Sequence, residues 1–307
     1  MQVRTWTIAA LCAVSLTTRA DPAFRPEPVA EDTANAVSAS TPDISEGIVY
    51  ICPMDPDVRS HAAGSCRRCG MTLVAGVPDP VEFHLDLGVI PSAPEPLRGA
   101  VLQFLVHDPW KDRPVPAFNV VHERLFHAFV VSEDLQFFEH GHPTLVADGE
   151  FQYPIQFPAP GMYRILSDFY PVGAAPQLLT ATVFVPGVSP EPAHLTRDYD
   201  QKAGKNMRVS LATIPDQPTV GNRTQMRFTL DAAQGLEKYL GAWGHLLAAS
   251  DDLIDMMHEH PLRADGGSQV EFELVFPRAR TYRIWVQFQK DDIVNTLHFD
   301  VPVRTPQ

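Results

Sequence analysis

Two stretches of this chain are copies of one another, and that repeat limits what it can fold into more than any other feature. HAFVVSEDLQFFEHGHP (His127 to Pro143) and HLLAASDDLIDMMHEHP (His245 to Pro261) align without a gap. They share the leading His, Ser132/Ser250, Asp134/Asp252, Leu135/Leu253, His140/His258, His142/His260 and the closing Pro. Downstream, FPAPGMYRI parallels FPRARTYRI, and upstream VEFHLDLGVIPSAPEP parallels MRVSLATIPDQPTV. A register held over so many positions marks a duplicated module, placed at 81–187 and 206–304, with the Pro-containing segment 188–205 as a linker.

The alternating apolar pattern of VLQFLVH, FQYPIQF, MRVSLAT, QMRFTL, VEFELVF and YRIWVQF reads as strands, and helical periodicity is scarce. Six or seven short strands per copy, parted by Pro, Gly and Asp turns, predict a mainly β chain. Its architecture is two tandem immunoglobulin-like antiparallel β-sandwiches preceded by a small Cys/Met domain. Tyr163 and Tyr282 occupy the place of the tyrosine near the start of strand F in such sandwiches. Ile165 and Ile284 stand where antibody domains carry a cysteine, so packing alone must hold each copy.

The first twenty residues, MQVRTWTIAALCAVSLTTRA, carry an early cation, a short apolar run and a small residue before Asp21, the pattern of a signal peptide at 1–20. Cys12 lies inside that run and is expected to leave with it. No later segment reaches the roughly 20 apolar residues of a membrane helix. The expectation is a periplasmic or secreted protein without a membrane span in its mature form. Residues 21–47, rich in Pro, Ala, Ser and acids, read as a disordered linker.

Charge excludes some partners. The chain carries 24 basic and 37 acidic residues, a net −13, and loss of Arg4 and Arg19 with the signal gives 22 − 37 = −15. Such a surface repels phosphate backbones and anionic headgroups, against nucleic-acid binding and in favour of cations. Nor is there a Gly-x-Ser-x-Gly elbow, a phosphate loop or a dinucleotide fingerprint, so a non-enzymatic role is expected.

The chemistry concentrates in YICPMDPDVRSHAAGSCRRCGMTLV, Tyr50 to Val74, within a domain placed at 48–76. Cys66 and Cys69 have the two-residue spacing that lets both sulfurs of a turn face one ion, with Cys52 arriving from an adjacent strand or turn. Met54 and Met71 each lie two residues beyond a cysteine and would share its face in extended backbone. Thiolate and thioether donors suit monovalent copper or silver, and the thiolates also suit zinc. A structural zinc knuckle or a Cys66–Cys69 disulfide stands as the alternative. The odd cysteine count left after cleavage argues against a disulfide scaffold.

At these residues the chain resembles the short heavy-metal-binding domain of copper and silver efflux adaptors and of some metal-transporting ATPases. The positions that carry the resemblance are Cys52-Pro53-Met54 and Cys66-x-x-Cys69-Gly70-Met71. The resemblance implies soft-metal binding by Cys52, Cys66 and Cys69 with Met54 and Met71 nearby, and a metal efflux or transport protein as partner. Asp55 stands where that family often has His, so any role of that His is missing, and Arg67 and Arg68 add charge that favours thiolates. The repeats are similar to uncharacterised β-sandwich modules that follow such domains in secreted bacterial proteins.

His140 and His142, like His258 and His260, project to one face if extended, and His127 or His245 would complete a three-nitrogen site for copper or zinc. Bracing of a turn by satisfied buried histidines explains the motif equally well. His84, His107, His122, His194 and His298 are scattered and read as ordinary. The function expected is soft-metal storage, delivery or resistance. The alternative is a protein–protein interaction module of tandem sandwiches with a structural zinc knuckle.

Overall fold

The computed structural model describes residues 50–52, 58–60, 62–75, 82–109, 113–172, 174–231, 234–262 and 266–306. The expected signal peptide, the linker 21–47, Met54 and Asp55 lie outside the described residues. Those described form strands and turns with no helix among them, and none long and apolar enough to cross a membrane.

The N-terminal piece is a three-stranded antiparallel sheet in which β1 (Tyr50–Ile51) lies between β2 (Arg59–Ser60) and β3 (Val74–Ala75). Among the described residues its core is Cys52, Val58, Cys66 and Leu73 with Tyr50 packed against them.

The first sandwich pairs two antiparallel sheets. One has the order β4 (His84–Ile90), β5 (Gly99–Asp108), β10 (Glu150–Gln156), β9 (Thr144–Ala147), with β6 (Arg113–Pro114) also on β5. The other runs β12 (Gln177–Val185), β11 (Gly161–Phe169), β7 (Phe126–Ser132), β8 (Phe138–Gly141). Leu102, Phe104, Val106 and Phe151 from the first sheet meet Phe126, Ala128, Val130, Ile165 and Phe169 from the second. The second sandwich repeats the plan with β13 (Lys202–Ala203), β14 (Arg208–Ile214), β15 (Arg223–Asp231) and β19 (Gln269–Val275) in one sheet. The other sheet holds β16 (Leu236–Glu237), β20 (Thr281–Lys290), β17 (His245–Ser250) and β18 (Met256–Glu259), with β21 (Ile293–Pro302) on the far side of β20.

The two tyrosines are structural, as the sandwich plan requires. Tyr163 is buried and its hydroxyl donates to the Ala159 carbonyl at 2.7 Å. The Tyr282 hydroxyl lies 2.7 Å from Asp255 Oδ2 and 3.2 Å from the Arg278 carbonyl. Ser132 and Ser250 end β7 and β17, and each hydroxyl donates to the aspartate two positions on, Asp134 and Asp252.

The stretch 188–205, expected as a linker, is bound into the fold over part of its length. β13 is an edge strand paired with β14, the Asp198 N–H donates to the Asp300 carbonyl at 3.0 Å, and Leu195 packs on the contact between the sandwiches. Its prolines bar long strands but leave such short pairings available.

That contact explains the most apolar strands of the repeat. Every residue of β7 and of β17 is buried, because alternate side chains serve two cores. Phe126, Ala128 and Val130 fill their own sandwich, whereas Phe129 and Val131 join Leu135, Leu166, Leu247, Ala249, Leu253 and Trp285 in a separate cluster. Phe138 stacks on Trp285 across it, with ring centroids 5.1 Å apart and planes 11° apart. Equivalent residues of both copies thus share one cluster, and Arg283, paired with Asp300, also donates to the Leu135 carbonyl at 2.9 Å.

Candidate metal centres

Around the N-terminal cysteines the backbone forms a tight loop. The Cys66 N–H donates to the Met71 carbonyl at 2.7 Å, and the Gly70 N–H returns to the Cys66 carbonyl at 2.9 Å. Gly70 closes the turn at φ +77°, a left-handed conformation in which a side chain is strained. Cys52 is brought in from β1 by its N–H bond to the Val58 carbonyl. The three residues are thiols whose sulfurs all lie within 4.8 Å of one another, Cys52 Sγ and Cys69 Sγ being 3.3 Å apart. Burial acts to raise the Cys66 thiol, but the Cys69 and Arg68 N–H groups and the Cys52 and Cys69 side chains outweigh it and bring the pKa below its ordinary value. Between Cys69 and Met71 stands the left-handed Gly70, and both flanking residues are exposed.

The histidines come together in two triads, His127/His140/His142 and His245/His258/His260, each with its donor nitrogens within 4.8 Å of one another. β7 and β17 supply the leading His, and β8 and β18 with the residue beyond each supply the His-x-His pair. His127 and His245 point their Nε2 at backbone carbonyls, Val121 at 3.1 Å and Tyr239 at 2.9 Å. Those carbonyls belong to equivalent tight turns, with positive φ at His122 and Glu123 in one copy and at Leu240 and Gly241 in the other.

The middle histidines are held from the opposite sandwich. His140 Nδ1 lies 2.7 Å from Gln287 Oε1, and Gln287 donates through Nε2 to Thr296. His258 Nδ1 lies 2.7 Å from Asp168 Oδ2, both groups being buried. Asp168 and Gln287 hold the same place in the two copies, each paired in register with the leading His of its own sheet.

Burial keeps the imidazoles neutral. It is the first cause of the downward shift at all six, to about 4 at His142 and about 2 at His245 and His260, with the neighbouring rings adding to it. Burial also raises Asp168, to about 6, against the pull of His127 and His122.

Sequence reasoning misses three members of this cluster. His122, ordinary by its position in the chain, stacks on the His260 ring with centroids 3.7 Å apart. Asp168 and Gln287 carry no motif. The unbroken apolar runs around His127 and His245 are the available signal, since a strand buried on both faces must meet a second layer.

The fold and its sites define a tandem β-sandwich protein with an N-terminal cysteine cluster suited to a metal ion. The chain belongs to the family described as "Domain of unknown function (DUF8832)", whose model matches twice, at 81–186 and 201–305, and residues 49–75 match the "Heavy metal binding domain". No curated protein is significantly similar to it. Among solved structures it is similar to the Escherichia coli adhesin FdeC at 11% identity and a TM-score of 0.25, covering 76% of this chain and 69% of that one. The two fibronectin type-III domain segment of chicken tenascin matches at 12% identity and a TM-score of 0.22, covering 71% and 97%.

Proposed function

We propose that this is an extracytoplasmic, non-enzymatic protein that binds copper(I) or silver(I) for storage, delivery or resistance, through Cys52, Cys66 and Cys69. The observation that carries the reading is the convergence of three thiols within 4.8 Å in a segment matching a heavy metal binding domain. Thiolates are soft donors, and three of them with no imidazole or carboxylate in the described cluster favour a monovalent coinage metal over harder ions. The lowered Cys66 pKa favours the thiolate that the metal requires. A metal efflux or transport protein is the partner such a carrier would serve.

Competition on the purified full-length chain under reducing conditions tests this. Copper(I) should displace zinc(II) from the cysteine cluster, and Cys66→Ser with Cys69→Ser should abolish high-affinity copper(I) binding. Zinc retained against excess copper(I) would favour a structural knuckle instead.

A further inference from the structure

The two histidine triads are neighbours, and the chemistry of their nitrogens says more than their number. His127 Nε2 faces a carbonyl and so carries the hydrogen, leaving a lone pair on Nδ1. His140 Nδ1 faces an amide oxygen and so carries its hydrogen, leaving the lone pair on Nε2. These two lone pairs face each other at 3.1 Å. In the second copy His245 Nδ1, a lone pair by the same argument, faces His260 Nε2 at 3.1 Å. Nitrogens so spaced subtend about 100° at an ion placed about 2.05 Å from each, close to a tetrahedral coordination angle.

A bracing role alone would leave these nitrogens satisfied. Instead His142 Nε2 and His258 Nε2 are buried with no hydrogen-bond partner among the described residues. In each triad the nitrogens bonded to groups outside it point to Val121, Gln287, Tyr239 and Asp168, and the three residues bring one further nitrogen each to within 4.8 Å of one another.

The triads also approach one another across the sandwich contact. Ring centroids are 5.5 Å apart for His140 and His245, 5.9 Å for His127 and His258, and 6.3 Å for His127 and His245. We propose that the contact between the two sandwiches is a two-metal centre, with one ion held by His127, His140 and His142 and a second beside it held by His245, His258 and His260. Three neutral imidazoles per ion suit borderline first-row cations, copper(II) or zinc(II), which separates this centre from the thiolate cluster. Each ion depends on both sandwiches, because Gln287 orients His140 and Asp168 orients His258 from the other side. The positions are unequal: a carboxylate behind a ligating histidine raises its basicity more than an amide does. The ion on the second-copy triad is therefore the tighter of the two.

The test uses the full-length chain carrying Cys52→Ser, Cys66→Ser and Cys69→Ser, so that failure of the cysteine reading and failure of this one are separable. Dialysed against copper(II) or zinc(II), this variant should retain two ions per chain in two affinity steps. With copper(II), its electron paramagnetic resonance signal should be weakened or split by coupling between the ions. His142→Ala should remove one ion and restore the signal of an isolated copper; His142 is half-buried and its Nε2 makes no hydrogen bond, so the fold should survive, as circular dichroism would verify. Fewer than two ions on the cysteine-free variant, an unchanged count in folded His142→Ala, or two ions with uncoupled spectra would each overturn the proposal. The ion count and spectrum of the cysteine-free variant suffice for the test even if every histidine substitution misfolds.

Discussion

The imidazole of His258 lies 2.7 Å from the carboxylate of Asp168, although the two are 90 residues apart and sit in different copies of the repeat. The bond ties the sandwich contact to the histidine cluster: the groups that orient the imidazoles also join the two halves. Replacing Asp168 by Ala leaves His258 Nδ1–H buried without an acceptor, at a cost of about 1–3 kcal/mol. Asp168→Asn keeps an acceptor oxygen and should cost less. Thermal melts of the two variants check the order, and equal melting temperatures would show that the bond does not form.

Trp285 anchors the same contact by stacking on Phe138, with 4% of its surface exposed. Truncation to Ala should destabilise by about 3–5 kcal/mol, the usual cost for a buried aromatic. Each sandwich keeps its own core, so calorimetry should resolve two transitions in the variant where the native chain should give one. A single unshifted transition would contradict the shared cluster.

The metal-free protein should lose stability in mild acid. His142 is pushed down to about 4, chiefly by burial, against about 6.5 in the unfolded chain. Between those values the unfolded state binds more protons, so stability is intact above about pH 6.5 and falls as the pH drops towards 4. His245 and His260 act in the same direction. Asp168, raised to about 6, opposes them as one carboxylate relieved of its buried charge. Urea midpoints of the apo-protein at pH 7.5 and 5.5 should differ, lower at 5.5, and a flat profile would contradict the burial of these rings.

Gly70 offers a test of the cysteine loop that leaves every sulfur in place. An added Cβ there meets nothing within 4 Å among the described residues, so Gly70→Ala acts through backbone strain at φ +77°. That strain is about 1–2 kcal/mol, which corresponds to a loss of roughly 5- to 30-fold in metal affinity if the loop must close to bind. Copper(I) competition titration reads it, and an unchanged affinity would mean that the turn is not required.

Duplication, strand content and the cysteine cluster were legible in the sequence because each is written locally: a gapless repeat, alternation of period two, and a Cys-x-x-Cys turn. The candidate ligands His127, His140, His142 and their counterparts were legible for the same reason, since i and i+2 share a face in a strand. The tertiary structure decided what chain order cannot express. It set two equivalent strand faces against each other, so that Asp168 and Gln287 reach histidines of the opposite copy and His122 stacks on a ring 138 positions away. Alternation tells which residues leave the sheet on its outer face, but the burial of Phe129 and Leu247 in one cluster depends on how two completed sandwiches dock. That docking depends on the shape of both completed surfaces, a property that no single segment carries.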